Sequence, residues 1–257
     1  MMTRKLLFVG IIVLMVAGLF ACKKNEGKNS AHLTMHLTDG PASYEAVNID
    51  IQQIGLTMSG SSEIMLTPYR TGVYNILDFK NGLDTLLARI DIPAGTVQQI
   101  RLVLGTNNSV RTGGVTYPLN TPSAQESGVK LNLHQTFAAN GSYDIWIDFD
   151  AAKSIVQTGG GAYKLKPVVR AYSALTNGKI QGYVLPVAAM STVYAINGTD
   201  TSAAIPASTD GYFVISGLPE GSYNLVVSPS VSPYLSYSST VSVSFGVITN
   251  VGTITLP

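Results

Sequence analysis

Asp144, Asp148 and Asp150 surround the single tryptophan of the chain, Trp146, in the stretch YDIWIDFD at 143–150. An aromatic ring flanked by carboxylates suits a sugar, because the ring stacks on the sugar face while the oxygens accept hydroxyl hydrogen bonds. Asp148 and Asp150 are two residues apart, about 7 Å between α-carbons on a strand, and carboxylate oxygens are also what calcium takes. Plainer arrangements compete. Asp148 can pair with Lys164 or Lys166 while Asp150 caps a helical turn running through Val156, and Trp146 can be covered by a loop or by the next domain. The plainer arrangements are the expectation, and Trp146, Asp144 and Asp148 are the candidate ligand residues.

Other chemistry is scarce. His32 and His36 are four apart, but on a strand that spacing separates them by about 13 Å, beyond a shared ion. No Gly-x-Ser-x-Gly elbow occurs, and the glycines at 159–161 precede a strand rather than opening a helix around a phosphate. No catalytic residue, metal or cofactor is therefore expected. The remaining reactive side chain is the sole cysteine, Cys22, which follows Arg4, Lys5 and an apolar run from Leu6 to Phe20. A charged start, an apolar stretch and a small residue before the cut read as a signal peptide over 1–21. The ending Leu19-Phe20-Ala21-Cys22 resembles the lipobox of bacterial lipoproteins, which implies an acylated Cys22 and a membrane held through N-terminal lipid. KKNEGKNS, the last eight residues of the segment 22–30, then reads as a polar tether.

Composition narrows the class further. Apolar residues make up 46% and charged residues 12% of 257, as in exposed β proteins and unlike disordered tails. Removing Arg4 and Lys5 from the 16 basic residues leaves 14 against 15 acidic ones, which gives no electrostatic case for nucleic acid. With one cysteine there is no disulfide, so packing alone must hold the fold.

The elements that position the candidate residues are strands. Tyr143, Ile145, Ile147 and Phe149 alternate with the acidic set, so one face packs and the other carries Trp146. Lys164 to Tyr172 resumes an extended path in which Pro167 requires an edge or a bulge. Upstream, Leu33, Met35 and Leu37 keep one parity. Val47, Ile49 and Ile51 give way to Ile54, Leu56 and Met58 on the other, which predicts a bulge at Gln52-Gln53. Strands are predicted at 64–67 and 73–79, a tight turn at Asn81-Gly82 and helical turns over 83–89. Val241, Val243, Phe245 and Val247 alternate near the C-terminus. Strands at this spacing, with turn chemistry between them, predict an all-β chain of two antiparallel β-sandwich domains in tandem, over 31–173 and 178–257.

Two resemblances accompany this pattern. LTDGPASYEAVNIDI, IPAGTVQQIRLVL and IDFDAAKSIVQTGGGAYKLKPVVR, in that order, resemble the bacterial family called domain of unknown function 4382, which implies an envelope lipoprotein domain and no activity. From Lys179, KIQGYVLP and STDGYFVISGLPEGSYNLVV are similar to the carboxypeptidase regulatory-like, transthyretin-like repeat, a small sandwich grouped with starch-binding-like folds. The expected protein is a non-catalytic envelope lipoprotein of the outer membrane that binds a glycan or another envelope protein. A structural piece of an adhesin or fimbrial assembly, and a hydrolase or hydrolase accessory, are the alternatives. An exposed aromatic platform, a long uncovered edge strand and a deep pocket with a perturbed carboxylate pair would mark the three readings respectively.

Overall fold

The computed structural model describes residues 29–121 and 127–257. The expected signal peptide over 1–21, Cys22 and nearly all of the expected tether lie outside the described residues. The described chain is nearly all β, in four sheets, none closed on itself.

Thirteen strands and one short helix make up the first part. They are β1 (Ser30–Asp39), β2 (Ala46–Met58), β3 (Ile64–Leu66), β4 (Gly72–Asn75), β5 (Thr85–Pro93), β6 (Gly95–Leu104), β7 (Ser109–Thr112), β8 (Val115–Asn120), β9 (Val129–Phe137), β10 (Ser142–Phe149), α1 (Ala151–Ser154), β11 (Ile155–Gln157), β12 (Tyr163–Leu165) and β13 (Val169–Ser173). A four-stranded sheet runs β13-β10-β1-β5, and a nine-stranded one runs β11-β12-β8-β7-β2-β6-β9 with β3 and β4 paired to β2. Ala31, Leu33, Met35 and Leu37 of β1 join Ile145, Ile147 and Phe149 of β10 in one apolar cluster with Val47, Ile49, Ile54 and Leu56 of β2. Each of these buried side chains larger than alanine contributes roughly 1.5–3 kcal/mol before entropy is counted.

The second part contains β14 (Gly178–Leu185), β15 (Thr192–Asn197), β16 (Asp200–Ala204), β17 (Tyr212–Leu218), β18 (Gly221–Ser228), β19 (Tyr237–Val243) and β20 (Ile248–Thr255). Its sheets run β17-β14-β20 and β16-β15-β18-β19. A separate cluster fills the space between them, with Ile180, Val184, Val193, Phe213, Leu225 and Val241 among its members.

Several expectations change. Three of the four sheets are mixed rather than antiparallel: β1 pairs with β10, β8 with β12 and β14 with β20 in parallel, while β16-β15-β18-β19 is antiparallel throughout. Alternation fixes which face a side chain takes but not the strand's direction, and a parallel pair needs a long crossover, which the whole of β2–β9 supplies to β1 and β10. The helical turns predicted over 83–89 do not form: Leu83 and Asp84 lead into β5, where a register shift at Met35/His36 lets both Leu87 and Ala88 bury against β1. The strand predicted over 73–79 stops at Asn75 and becomes a 3-10 turn over Ile76–Phe79 that buries Ile76 and Leu77. The turn after Asp150 ends at Ser154, short of Val156. Pro167 falls in a gap between β12 and β13, which lie in different sheets, so the path from Lys164 to Tyr172 is not one strand. At the C-terminus β19 ends at Val243, and the alternating Phe245 and Val247 are exposed turn residues. The bulge does occur, as a register shift between Ile51 and Gln53 against β6, and Asn81 and Gly82 form their turn with φ of 56° and 80°.

Candidate functional site

The strand carrying the candidate residues lies inside the four-stranded sheet, with β1 on one side and β13 on the other. Register aligns His36 with Trp146 and Trp146 with Tyr172, and one step along it aligns Thr38 with Asp148 and Asp148 with Arg170. Paired residues in adjacent strands project to the same face, here the face turned away from the core.

The first row is aromatic. His36 stacks on the indole at 5.3 Å and 18°, and Tyr172 stacks at 5.8 Å and 13°. The indole N–H donates to Asp84 Oδ2 at 2.8 Å, and the Lys179 ammonium lies 5.3 Å from the ring centroid. The tryptophan's faces and its donor are thus taken by the protein, which leaves no open face for a sugar ring. Asp144 is drawn to His36 Nε2 at 3.3 Å. His32 pairs with Asp91.

Asp148 lies in the second row and is buried. Its Oδ2 accepts from Arg170 Nε and Nη2, both at 2.7 Å, so its partner is Arg170 rather than Lys164 or Lys166. Asp150 caps α1 by accepting from the Lys153 N–H at 3.0 Å, and it also pairs with Lys153 Nζ at 2.9 Å. Trp146, Asp144 and Asp148 therefore do not converge on a ligand. Among the described residues no group of three or more His, Cys, Asp or Glu side chains is arranged to hold a metal ion.

Replacing Trp146 with Ala should remove a half-buried ring held by four partners, at a cost of about 2 kcal/mol, below the range for fully buried aromatics. Chemical denaturation would measure this, and a neutral result would show that the stack carries no stability.

What the rows do form is a seam with the second unit. Arg170 continues past Asp148, donating from Nη2 to Ser216 O at 3.0 Å and from Nη1 to Gly217 O at 3.3 Å. Asn177 Nδ2 donates to the same Gly217 carbonyl at 3.0 Å, Lys153 Nζ donates to Thr201 O at 3.0 Å, and Asn81 Nδ2 donates to Ile205 O at 2.9 Å. Tyr172 is 5% exposed, and burial pushes its phenol well above the ordinary tyrosine range.

Hollows open along the seam. One of about 370 Å³ is lined by Ser43, Asp150, Lys153, Arg170, Tyr194 and Ser202, among others. A second, of about 570 Å³, lies beyond Lys153 and Arg170 and reaches Asn197, Asp200 and Tyr223. Beside them Asp39, Asn81, Asp148 and Arg170 border a small void of about 30 Å³, room for about one water. Asp39 is 6% exposed, its Oδ1 accepts from the Ala151 N–H at 3.1 Å and its Oδ2 has no partner among the described residues. Burial, reinforced by the charges of Asp148 and Asp150, pushes its carboxyl up to about 9. A perturbed carboxyl is thus present, but in a void too small to admit a substrate.

Sequence reading missed Arg170, Tyr172 and Tyr194. Arg170 and Tyr172 share a parity in VVRAYS, which was enough to place them on one face. Their meeting with Asp148 and Trp146 depends on strand register, which alternation does not supply.

Fold and site together define a nearly all-β protein with two apolar cores and a polar seam between them. The chain belongs to the family described as Domain of unknown function (DUF4382), which matches residues 30–167. That match stops before β13, so Arg170 and Tyr172 lie outside it. No curated protein matches this chain. Similar solved structures include the Bacillus anthracis TIE protein, at 12% identity and a TM-score of 0.23, and a leucine-rich repeat protein from Bacteroides thetaiotaomicron, at 12% and 0.21. The likenesses cover 89% and 88% of this chain, which spans 34% and 26% of those two chains.

Proposed function

We propose that this is a non-catalytic, lipid-anchored protein of the bacterial cell envelope, attached to the outer membrane, whose hollow between two β-sandwich domains binds a carbohydrate. In this reading residues 1–21 are a signal peptide and Cys22 is acylated. Residues 31–173 are the first sandwich, and residues 178–257 are a second of the carboxypeptidase regulatory-like kind. The observation that carries the binding function is the 370 Å³ hollow, of a size that suits a small ligand. Its wall offers the half-buried Tyr194 ring, whose hydroxyl has no hydrogen-bond partner among the described residues. Beside it stand the Ser43 hydroxyl, the Asp150 carboxylate and the Lys153 ammonium. This mixture of one aromatic face with donors and acceptors replaces the Trp146 platform.

The assembly alternative has less support. The edge strand β5 exposes Arg89, Asp91 and Pro93, residue types that oppose addition of a partner strand.

Calorimetric titration with a panel of envelope and dietary oligosaccharides tests the binding. One of them is expected to bind, and Tyr194→Ala is expected to weaken it about tenfold or more, as the loss of a stacked ring and a hydrogen bond requires. Absence of binding across the panel overturns the carbohydrate reading, and an affinity indifferent to Tyr194→Ala moves the site elsewhere.

A further inference from the structure

The turn between β19 and β20 exposes Phe245 at 51% and Val247 at 48%, the first residue of β20, Ile248, is 54% exposed, and the linker between the two units exposes Leu175 at 56%. Backbone contacts bring the two segments together. Gly246 N–H donates to the Asn177 carbonyl at 3.1 Å, Lys179 N–H donates to the Val247 carbonyl at 3.0 Å, and a Cβ on Gly246 would come within 3.3 Å of the Ala174 carbonyl. Leu175 stands at the tip of a turn closed by the Thr176 N–H on the Ser173 carbonyl. Four large apolar side chains half-exposed side by side are more than scattered surface residues and call for a partner.

The topology says what the partner is. β10 runs parallel to β1, with Ser142 opposite His32, and Asn140 N–H donates to the Ser30 carbonyl, so β10 begins where the chain first enters the fold. β13 runs the other way, with Ser173 opposite Ile145, so it delivers Leu175 to that same end of the sheet. β1 and β13 flank β10, which separates them by about two strand spacings, or roughly 10 Å. The patch and the point from which the tether leaves are therefore at one end of the molecule.

We infer that the Leu175, Phe245, Val247 and Ile248 patch is a membrane-contacting foot, seated in the headgroup region of the bilayer that holds the Cys22 lipid. The inference rests on the lipid-anchor reading above. Seven residues lie between Cys22 and Ser30, which limits the reach to at most about 28 Å. The second unit also exposes apolar residues at its other end, notably Met190 at 69%. That end lies beyond Leu185, about 25 Å further along β14 from Gly178, with the tether leaving from the near side. The tether thus leaves from the end that carries the foot, which sets the foot nearer the bilayer than Met190. The tether sequence KKNEGKNS carries three lysines against one glutamate, which favours an anionic lipid surface.

The test uses the full lipid-modified chain in vesicles of phosphatidylethanolamine and phosphatidylglycerol. With Cys22 acylated, Val247→Cys and Met190→Cys each offer one free thiol for an environment-sensitive fluorophore. The Val247 label should shift to the blue and be quenched several-fold more strongly by nitroxide-bearing lipid than the Met190 label. Phe245→Asp combined with Ile248→Asp should cancel that difference while the protein still floats with the vesicles and its Trp146 emission is unchanged. If flotation requires Cys22 yet the Val247 label behaves as the Met190 label does, the foot is overturned and the anchor stands. If Cys22→Ser floats as well as the unsubstituted chain, the anchor reading is overturned and the foot with it. A Val247 shift that grows with protein density at fixed lipid marks contact between copies of this chain and overturns the membrane as the occupant.

Discussion

Asp39→Asn should stabilise the protein at neutral pH, by on the order of 3–4 kcal/mol, and should flatten its dependence of stability on pH. The Asp39 carboxyl is pushed up to about 9 from an ordinary 3.8, first by burial and then by the neighbouring Asp148 and Asp150 charges. A proton is therefore held more tightly in the folded than in the unfolded chain. Below about pH 4 both states are protonated and Asp39 costs nothing. As pH rises from 3.8 towards 9 the unfolded chain releases the proton and the folded one keeps it, so stability falls by about 1.4 kcal/mol for each pH unit. Asparagine keeps the carbonyl that accepts the Ala151 N–H and puts a neutral amide beside the small void, so it escapes this loss. Glu63 works in the opposite sense, since its hydrogen bond from Arg101 lowers its pKa and its contribution is lost as pH falls. The difference between variant and parent isolates Asp39. Urea melts of both from pH 4 to pH 9 would show curves that coincide at the acid end and diverge upward; parallel curves would contradict a protonated Asp39.

Gly217→Ala should part the two units, with a loss of about 2–5 kcal/mol. Gly217 has φ of 70°, a conformation that costs other residues roughly 1–2 kcal/mol. A Cβ there would also lie 2.6 Å from Tyr172 Cδ1, and overpacking of this kind costs about 1–3 kcal/mol more. Tyr172 has little freedom to retreat, because it is buried and stacked on Trp146. Any shift of Gly217 also loosens its carbonyl, which receives both Arg170 and Asn177. The expected signature is a melt divided into two transitions, with Trp146 emission changing in the first. A single transition at the parent's midpoint would show that the seam tolerates the methyl group and is looser than its geometry requires.

The sequence by itself determined which residues are inside. Leu33, Met35 and Leu37, then Ile145, Ile147 and Phe149, bury as their period of two demands, and the parity change at Gln52-Gln53 is the register shift it predicts. Turn chemistry was equally legible at Asn81-Gly82, and so was the cap at Asp150, because both depend on a few neighbouring residues. Only the tertiary structure decided what the outward face does. Alternation put Trp146 and Asp148 on that face without saying what lies across from them, and the answer, Tyr172 and Arg170, came from strand register. The parallel directions of β1 with β10 and of β14 with β20 were hidden for the same reason, since a period of two reads identically in either direction. Strand ends set by contacts far away in the chain also escaped the local pattern: the alternation ending in Phe245 and Val247 continues past the point where β19 loses its neighbour, and what looked like buried strand is an exposed apolar turn. Faces and turns are settled by neighbours within a few residues, whereas partners, directions and the seam are settled by residues that meet only once the chain has folded.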